Sequence, residues 1–310
     1  MRSHLFTSVA IIGVWLHTLS ASAQIVTYTL EKGQAKTRLP QLNQASVRPQ
    51  AFNVSRTEIQ ALLDDDNRRK QTGGYPYRFG KAQKADLGLK DGTWFDTPGG
   101  RVWILKISSP EAYSLNFFLN KFRLARGAEL TIYNEDRSMQ MGTITDALNT
   151  PENVLVTDLL SGSAAIFELF EPDYAEVPSV LHISNVVHGY KPMPYTAQAG
   201  GLNQSANCHI NVACPQGAAY QDQANSTAMV LLANQTEWCS STLLNNTCNN
   251  FRPYMLTAFH CLDIGGANGT SCDGDYGNGN LSQVEINNAQ NFGFRFQFRS
   301  PTCSPSTAPA

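Results

Sequence analysis

Short runs of aromatic and β-branched residues, several with apolar and polar positions in alternation, recur through residues 24–191 with turn residues between them. Arg101-Val102-Trp103-Ile104-Leu105-Lys106-Ile107 and Leu115-Asn116-Phe117-Phe118-Leu119 are the clearest of these runs. Such residues suit a pleated, half-buried surface, so both predict strands. Blocks 127–134, 164–170 and 179–183 continue the pattern, and many short strands spaced by turns predict a β-sandwich. One helix is predicted over 55–69, where Ser55-Arg56-Thr57-Glu58 has the form of a capping box. The run Asp64-Asp65-Asp66 followed by Arg68-Arg69-Lys70 reads as a solvated helix end. His182 and His188 fall at apolar strand positions or their edges, where packing is expected of them.

The pattern changes near residue 200. From Cys208 onward Asn, Gly, Ser and Thr crowd the chain and Lys is absent. The stretch 192–207 is polar and punctuated by Pro and Gly, as an exposed linker is. At the other end, Arg2, the apolar run 9–16 and Ala21-Ser22-Ala23 have the order of a secretory signal peptide, and the apolar run is too short to span a bilayer. The expected organisation is a signal peptide over 1–23, a β-rich domain over 24–195, a linker and processing region over 196–207 and a second domain over 208–310. The protein is expected to be secreted, to the extracellular space or a periplasm, with no membrane anchor.

Charge narrows the partners. With 23 basic against 25 acidic residues there is no basic field to hold nucleic acid or an anionic membrane. Seven cysteines in an exported chain are read as disulfide formers, and the odd count leaves one without an internal partner. A metal site made from Cys208, His209, Cys214, His260 and Cys261 is not expected. Structural zinc uses closely spaced Cys pairs, and no His-Glu-x-x-His element occurs. No cofactor is implied.

The candidate chemistry lies in Leu256-Thr257-Ala258-Phe259-His260-Cys261, a small-residue approach to a His that abuts a Cys. With Cys239-Ser240-Ser241-Thr242-Leu243-Leu244 upstream, it resembles the strand-turn-strand that carries the general base of trypsin-like serine proteases. Cys208-His209-Ile210-Asn211-Val212-Ala213-Cys214-Pro215 resembles the mature N-terminus of the lysyl endopeptidase branch. Blocks 102–107 and 127–134, with His188-Gly189-Tyr190, are similar to the pro-region of the same enzymes. The resemblance implies an all-β protein: a β-sandwich-like pro-domain, then the first part of a chymotrypsin-like double β-barrel. It implies His260 as the catalytic base, Cys239 bridged to Cys261 and Cys214 to Cys303, and for Cys208 a partner outside the chain. Cys248 and Cys272 are then a candidate further pair, although sequence alone leaves connectivity open. Ser241 stands where trypsin relatives usually carry Gly, a departure from the resemblance.

A serine protease also needs an attacking Ser and a buried Asp. In the chymotrypsin order these follow the His by roughly 140 and roughly 45 residues, whereas only about 50 residues follow His260 and Asp275 is the last Asp. Ser271 lacks a Gly-Asp-Ser-Gly surround and reads as a loop serine. The expectation is a secreted serine endopeptidase precursor, acting on protein or peptide substrates, with a contact between pro-domain and protease domain, truncated before Asp and Ser and inactive as it stands. The alternative is a secreted noncatalytic β-sandwich binding or adhesion protein with a degenerate protease-like tail, favoured by exposed aromatics within 94–133. No Lys or Arg lies between Lys191 and Arg252, and Lys191 precedes Pro192. Cleavage after a basic residue therefore does not easily produce an N-terminus near Cys208.

Overall fold

A computed structural model describes residues 25–40, 42, 47–72, 76–192, 210–263, 279–300 and 302–303. The first strands are β1 (Thr27–Thr29) and β2 (Gln50–Ala51), followed by helix α1 (Arg56–Thr72). Then come β3 (Tyr77–Arg78), β4 (Gly80–Gly88), β5 (Thr93–Thr97), β6 (Gly100–Ser108), β7 (Ser114–Arg123), β8 (Glu129–Asn134) and β9 (Met139–Thr145). The run of strands continues with β10 (Leu155–Val156), β11 (Leu160–Ser161), β12 (Ala164–Pro172) and β13 (Val180–Gly189). The C-terminal part holds α2 (Gln221–Ser226), β14 (Thr227–Leu231), β15 (Glu237–Leu244), β16 (Tyr254–Thr257), α3 (Gln283–Asn288) and β17 (Gly293–Phe296). The protein is all-β, and every block read as a strand from its pattern lies on one.

Three sheets carry the fold. One runs β1-β9-β8-β12-β6-β2 with β5 also on β6, and a second runs β10-β7-β13-β4 with β11 also on β7. Alternation along β6 explains how they stack. Trp103, Leu105 and Ile107 enter the main core with Leu115, Phe117 and Leu119 of β7 and Phe167 and Leu169 of β12. Val102 and Ile104 point the other way, against Ala35 and the half-buried Leu30, Leu39 and Leu42. The N-terminal segment thus covers the back of the first sheet. Buried Glu168 fixes it there, accepting from the Thr37 hydroxyl (2.5 Å), the Arg38 N–H (2.6 Å) and the Tyr133 hydroxyl (3.1 Å).

The third sheet runs β16-β15-β14-β17, with β3 also paired to β15. It packs on the outer face of the second sheet, where Met229 and Leu231 meet Phe79, Leu159 and Val187. On the opposite face of β14, Val230 and Leu232 meet Cys261. This strand therefore serves two cores. Among the described residues the sheet is open, so the strands expected to begin a barrel do not close into one.

The capping box at the start of α1 is reciprocal: Ser55 N–H donates to Glu58 Oε2 (2.9 Å) and Glu58 N–H to Ser55 Oγ (3.2 Å). Hydrogen bonding from Lys81, then from Ser55, brings the Glu58 carboxyl down to about 2. The helix runs past residue 69 to Thr72, and its charged run is not the solvated end that its composition suggests. Arg69 Nη2 pairs with Glu237 Oε1 of β15 at 2.6 Å, with side chains only 12% and 4% exposed. Asp66, 11% exposed, takes Arg78 (2.7 Å) and Lys191 (2.7 Å) as ion partners and accepts the Tyr190 hydroxyl (2.7 Å). Burial, then the Asp66 carboxylate, raises the Tyr190 pKa above the ordinary phenol value. A helix turned toward β3, β15 and the end of β13 brings half of such a run inside.

Candidate active site around His260

β15 and β16 are antiparallel, with Ser241 opposite Thr257 and Thr242 opposite Leu256. The Thr257 hydroxyl donates to Ser240 O at 2.8 Å and so pins the end of β16 onto β15. From there Ala258 leads into a single turn over Phe259–Cys261, in which the Cys261 N–H bonds to Ala258 O at 3.0 Å. Cys261 is buried and bonded to Cys239 on β15, so the turn is held at both ends. His260 projects from that turn, half-buried, beside the exposed Phe259. Among the described residues no side chain hydrogen-bonds to its imidazole.

The local sulfurs are spent. Donor atoms of Cys239, His260 and Cys261 lie within 4.8 Å of one another, but disulfide sulfur is not the thiolate that binds metals. A second bridge joins Cys214 to Cys303 across 89 residues of chain. Cys248 is exposed and makes no disulfide with any described residue, while Cys208, His209, Ser271 and Cys272 lie outside the described residues. So do the proposed cleavage sites at 1–23 and 195–207. No helix among the described residues is long and apolar enough to cross a membrane.

Asp263 is the residue that reading the sequence passes over. It is fully buried three positions beyond His260; its backbone N–H bonds to Phe259 O (3.1 Å) and its carboxylate accepts the Gly279 N–H (2.8 Å). It ties the end of the turn to Gly279. A lone Asp in Cys261-Leu262-Asp263 gives no sign of this, because its partner is a distant backbone amide. Ser241, in the position that departs from trypsin relatives, is buried, and its hydroxyl has no partner among the described residues.

Residues 202–309 match the sequence model of the lysyl endopeptidase C-terminal domain. That stretch contains β14 to β17, both disulfides and His260. The chain is lysyl endopeptidase-like over it, and the protein is protease-related. The aromatics that would favour a binding module are mostly spent on packing. Trp103, Phe117, Phe122 and Tyr133 are fully buried, and Trp94 is covered by the Arg101 guanidinium 4.1 Å from a ring centroid. His188 is buried as its pattern suggests, whereas His182 is a polar surface contact bonded to Asn120 (2.5 Å) and Asp86 (2.8 Å).

Proposed function

We propose that the protein is a secreted serine endopeptidase precursor in which His260 is the general base: a signal peptide over 1–23, a pro-region over 24–195, a processing linker over 196–207 and protease sequence from 208 onward. The observation that carries this reading is the bridged turn. Rigid placement is what a group needs if it is to take a proton from an attacking hydroxyl and hand it to the leaving amine, and the Cys239–Cys261 bond gives it to His260 within the stretch that matches the lysyl endopeptidase domain. The hydroxyl and the orienting carboxylate in this reading are not among the described groups around His260. Peptide bonds are the substrate, and a basic residue before the scissile bond is the first specificity to probe.

The test is the secreted gene product with and without His260→Ala, assayed on casein and on lysyl and arginyl esters. Loss of about 10⁴-fold or more in kcat, with secretion unchanged, is expected for a residue that moves the proton. Equal, measurable hydrolysis by the two proteins would remove His260 from the mechanism.

A further inference from the structure

Part of the β6 edge has no strand opposite it. On the side away from β12, β5 reaches no further than Thr93 opposite Ile104, and the parallel strand β2 begins at Gln50 opposite Ile107. Leu105 and Lys106 fall in the notch between them. The Phe52 N–H bonds to Ser108 O on this edge at 2.8 Å, so by the alternation of the strand the Lys106 N–H points into the notch as well. A pocket of about 440 Å³ opens there, and both strand ends, Gln50 and Thr93, line it. Sites for small ligands are typically roughly 300–1,000 Å³.

The lining is apolar on one side. Thr93 pairs with Ile104 and Phe95 with Val102, which places all four on the back face of the sheet. Leu42 and Val47 of the N-terminal segment close that side. The Trp103 indole N–H donates to Leu89 O at 2.9 Å and holds the turn that carries Asp91 into the wall. Three charged residues line the pocket, and two are engaged. Asp91 Oδ2 accepts the Gly88 N–H at 2.7 Å, and Lys106 Nζ pairs with Glu135 at 2.6 Å. Arg48 makes no hydrogen bond or ion pair with any described residue, and Pro49 after it confines it to extended backbone. An apolar chamber with one unspent guanidinium suits a ligand that is apolar along its body and carries a carboxylate, the group that the planar fork of Arg matches.

We propose that this notch binds a small apolar carboxylate, its body against Leu42, Val47, Phe95 and Ile104 and its charge on Arg48. A fatty acid and the C-terminus of a peptide ending in an apolar residue share that chemistry, and they part at Lys106, whose N–H only a peptide meets with a carbonyl of its own. The site lies wholly outside residues 202–309 and stands apart from the peptidase reading.

Octanoate and acetyl-Gly-Phe, the latter also as its C-terminal amide, are titrated by calorimetry into the full chain and into Arg48→Met and Thr93→Trp. Both residues are exposed, so neither change opens a core. Arg48→Met keeps an apolar stem without the charge and should weaken binding at least about tenfold; Thr93→Trp fills the chamber and should abolish it. In wild type the amide should bind at least about tenfold more weakly than the acid, a comparison that needs no variant to fold. Hydrogen exchange names the source. Peptide binding that slows the Lys106 amide assigns the site to peptide ends, and octanoate binding alone assigns it to fatty acids; either supports the apolar carboxylate. No saturable binding of either acid, an amide that binds as well as its acid, or binding that either substitution leaves unchanged would overturn the proposal.

Discussion

At the scale of single residues, His188 makes the sharpest solution prediction. Its ring is buried. The Ser109 hydroxyl lies 2.8 Å from Nδ1 and donates to Phe52 O at 2.6 Å, so Nδ1 carries the ring proton and Nε2 is left buried with no partner among the described residues. Burial lowers its pKa below the ordinary 6.5; Glu111 opposes that shift and Lys81 adds to it. With the folded value depressed, the neutral ring's contribution is complete above about pH 6.5 and is lost as pH falls through the folded value, because the unfolded chain takes up the proton first. Urea midpoints of wild type should therefore fall between pH 7 and 5, with a slope from this group of at most about 1.4 kcal/mol per pH unit. His188→Asn, which keeps a donor for Ser109 but cannot be charged, should flatten that segment. An unchanged slope would show that other groups carry it. The sequence marks this His as a packed one, but not its hydroxyl partner 79 positions away. The misread run around Asp66 and Arg69 has the same cause: charge composition predicts water, and tertiary partners decide otherwise.

Among elements, those that bury both faces or one clean face were legible, and edges were not. β6 and β12 announce themselves through apolar runs, whereas β4 is Gly80-Lys81-Ala82-Gln83-Lys84-Ala85-Asp86-Leu87-Gly88 and gives little apolar signal. It lies at the edge of its sheet, paired with β13, where lysines guard against edge-to-edge association. Its identity comes from its neighbour rather than from its own pattern. The His260 turn was legible for the opposite reason, since a Cys beside a His is a local signature; the bracing by Asp263 was not. The bridge behind that turn closes 22 residues. Replacing both Cys239 and Cys261 by Ser should cost the third sheet about 2–4 kcal/mol, read as faster amide exchange in β14 and β15 while β7 and β12 keep their protection. Equal loss in all four strands would mean that the sheets unfold as one unit.

For the whole molecule, the sandwich and the C-terminal sheet meet through contacts of several kinds: the cluster around Phe79 and Met229, the Arg69–Glu237 and Arg295–Asp158 pairs, Asn116 donating to Gln235 O at 3.0 Å, and β3 itself. Composition predicts two parts and a boundary but is silent about such a surface, because residues far apart in sequence build it. One consequence concerns Lys191. Its ammonium is paired with Asp66 at 2.7 Å and lies over the Tyr77 ring, and its N–H bonds to Phe79 O at 3.2 Å. In Pro192→Ala, where the proline block is gone, trypsin should still spare Lys191 in the folded chain, cut first at exposed basic residues such as Lys32, which Gly33 follows, and cleave after Lys191 only in urea. Mass spectrometry of the first fragments checks this; early cleavage at 191 in buffer would show that the lysine is not held.

The same surface gives a single cut between the two parts an unusual meaning. A nick within 195–207 would leave in place the contacts described between them, the Phe79 and Met229 cluster, the Arg69–Glu237 pair and β3, all of which are made by residues outside that stretch. It would only remove the tether, and with it the high effective concentration that a short linker imposes. From that moment the pieces would part according to how dilute they are. A precursor nicked where protein is concentrated would keep its two halves together, and would shed one of them on release into a large volume.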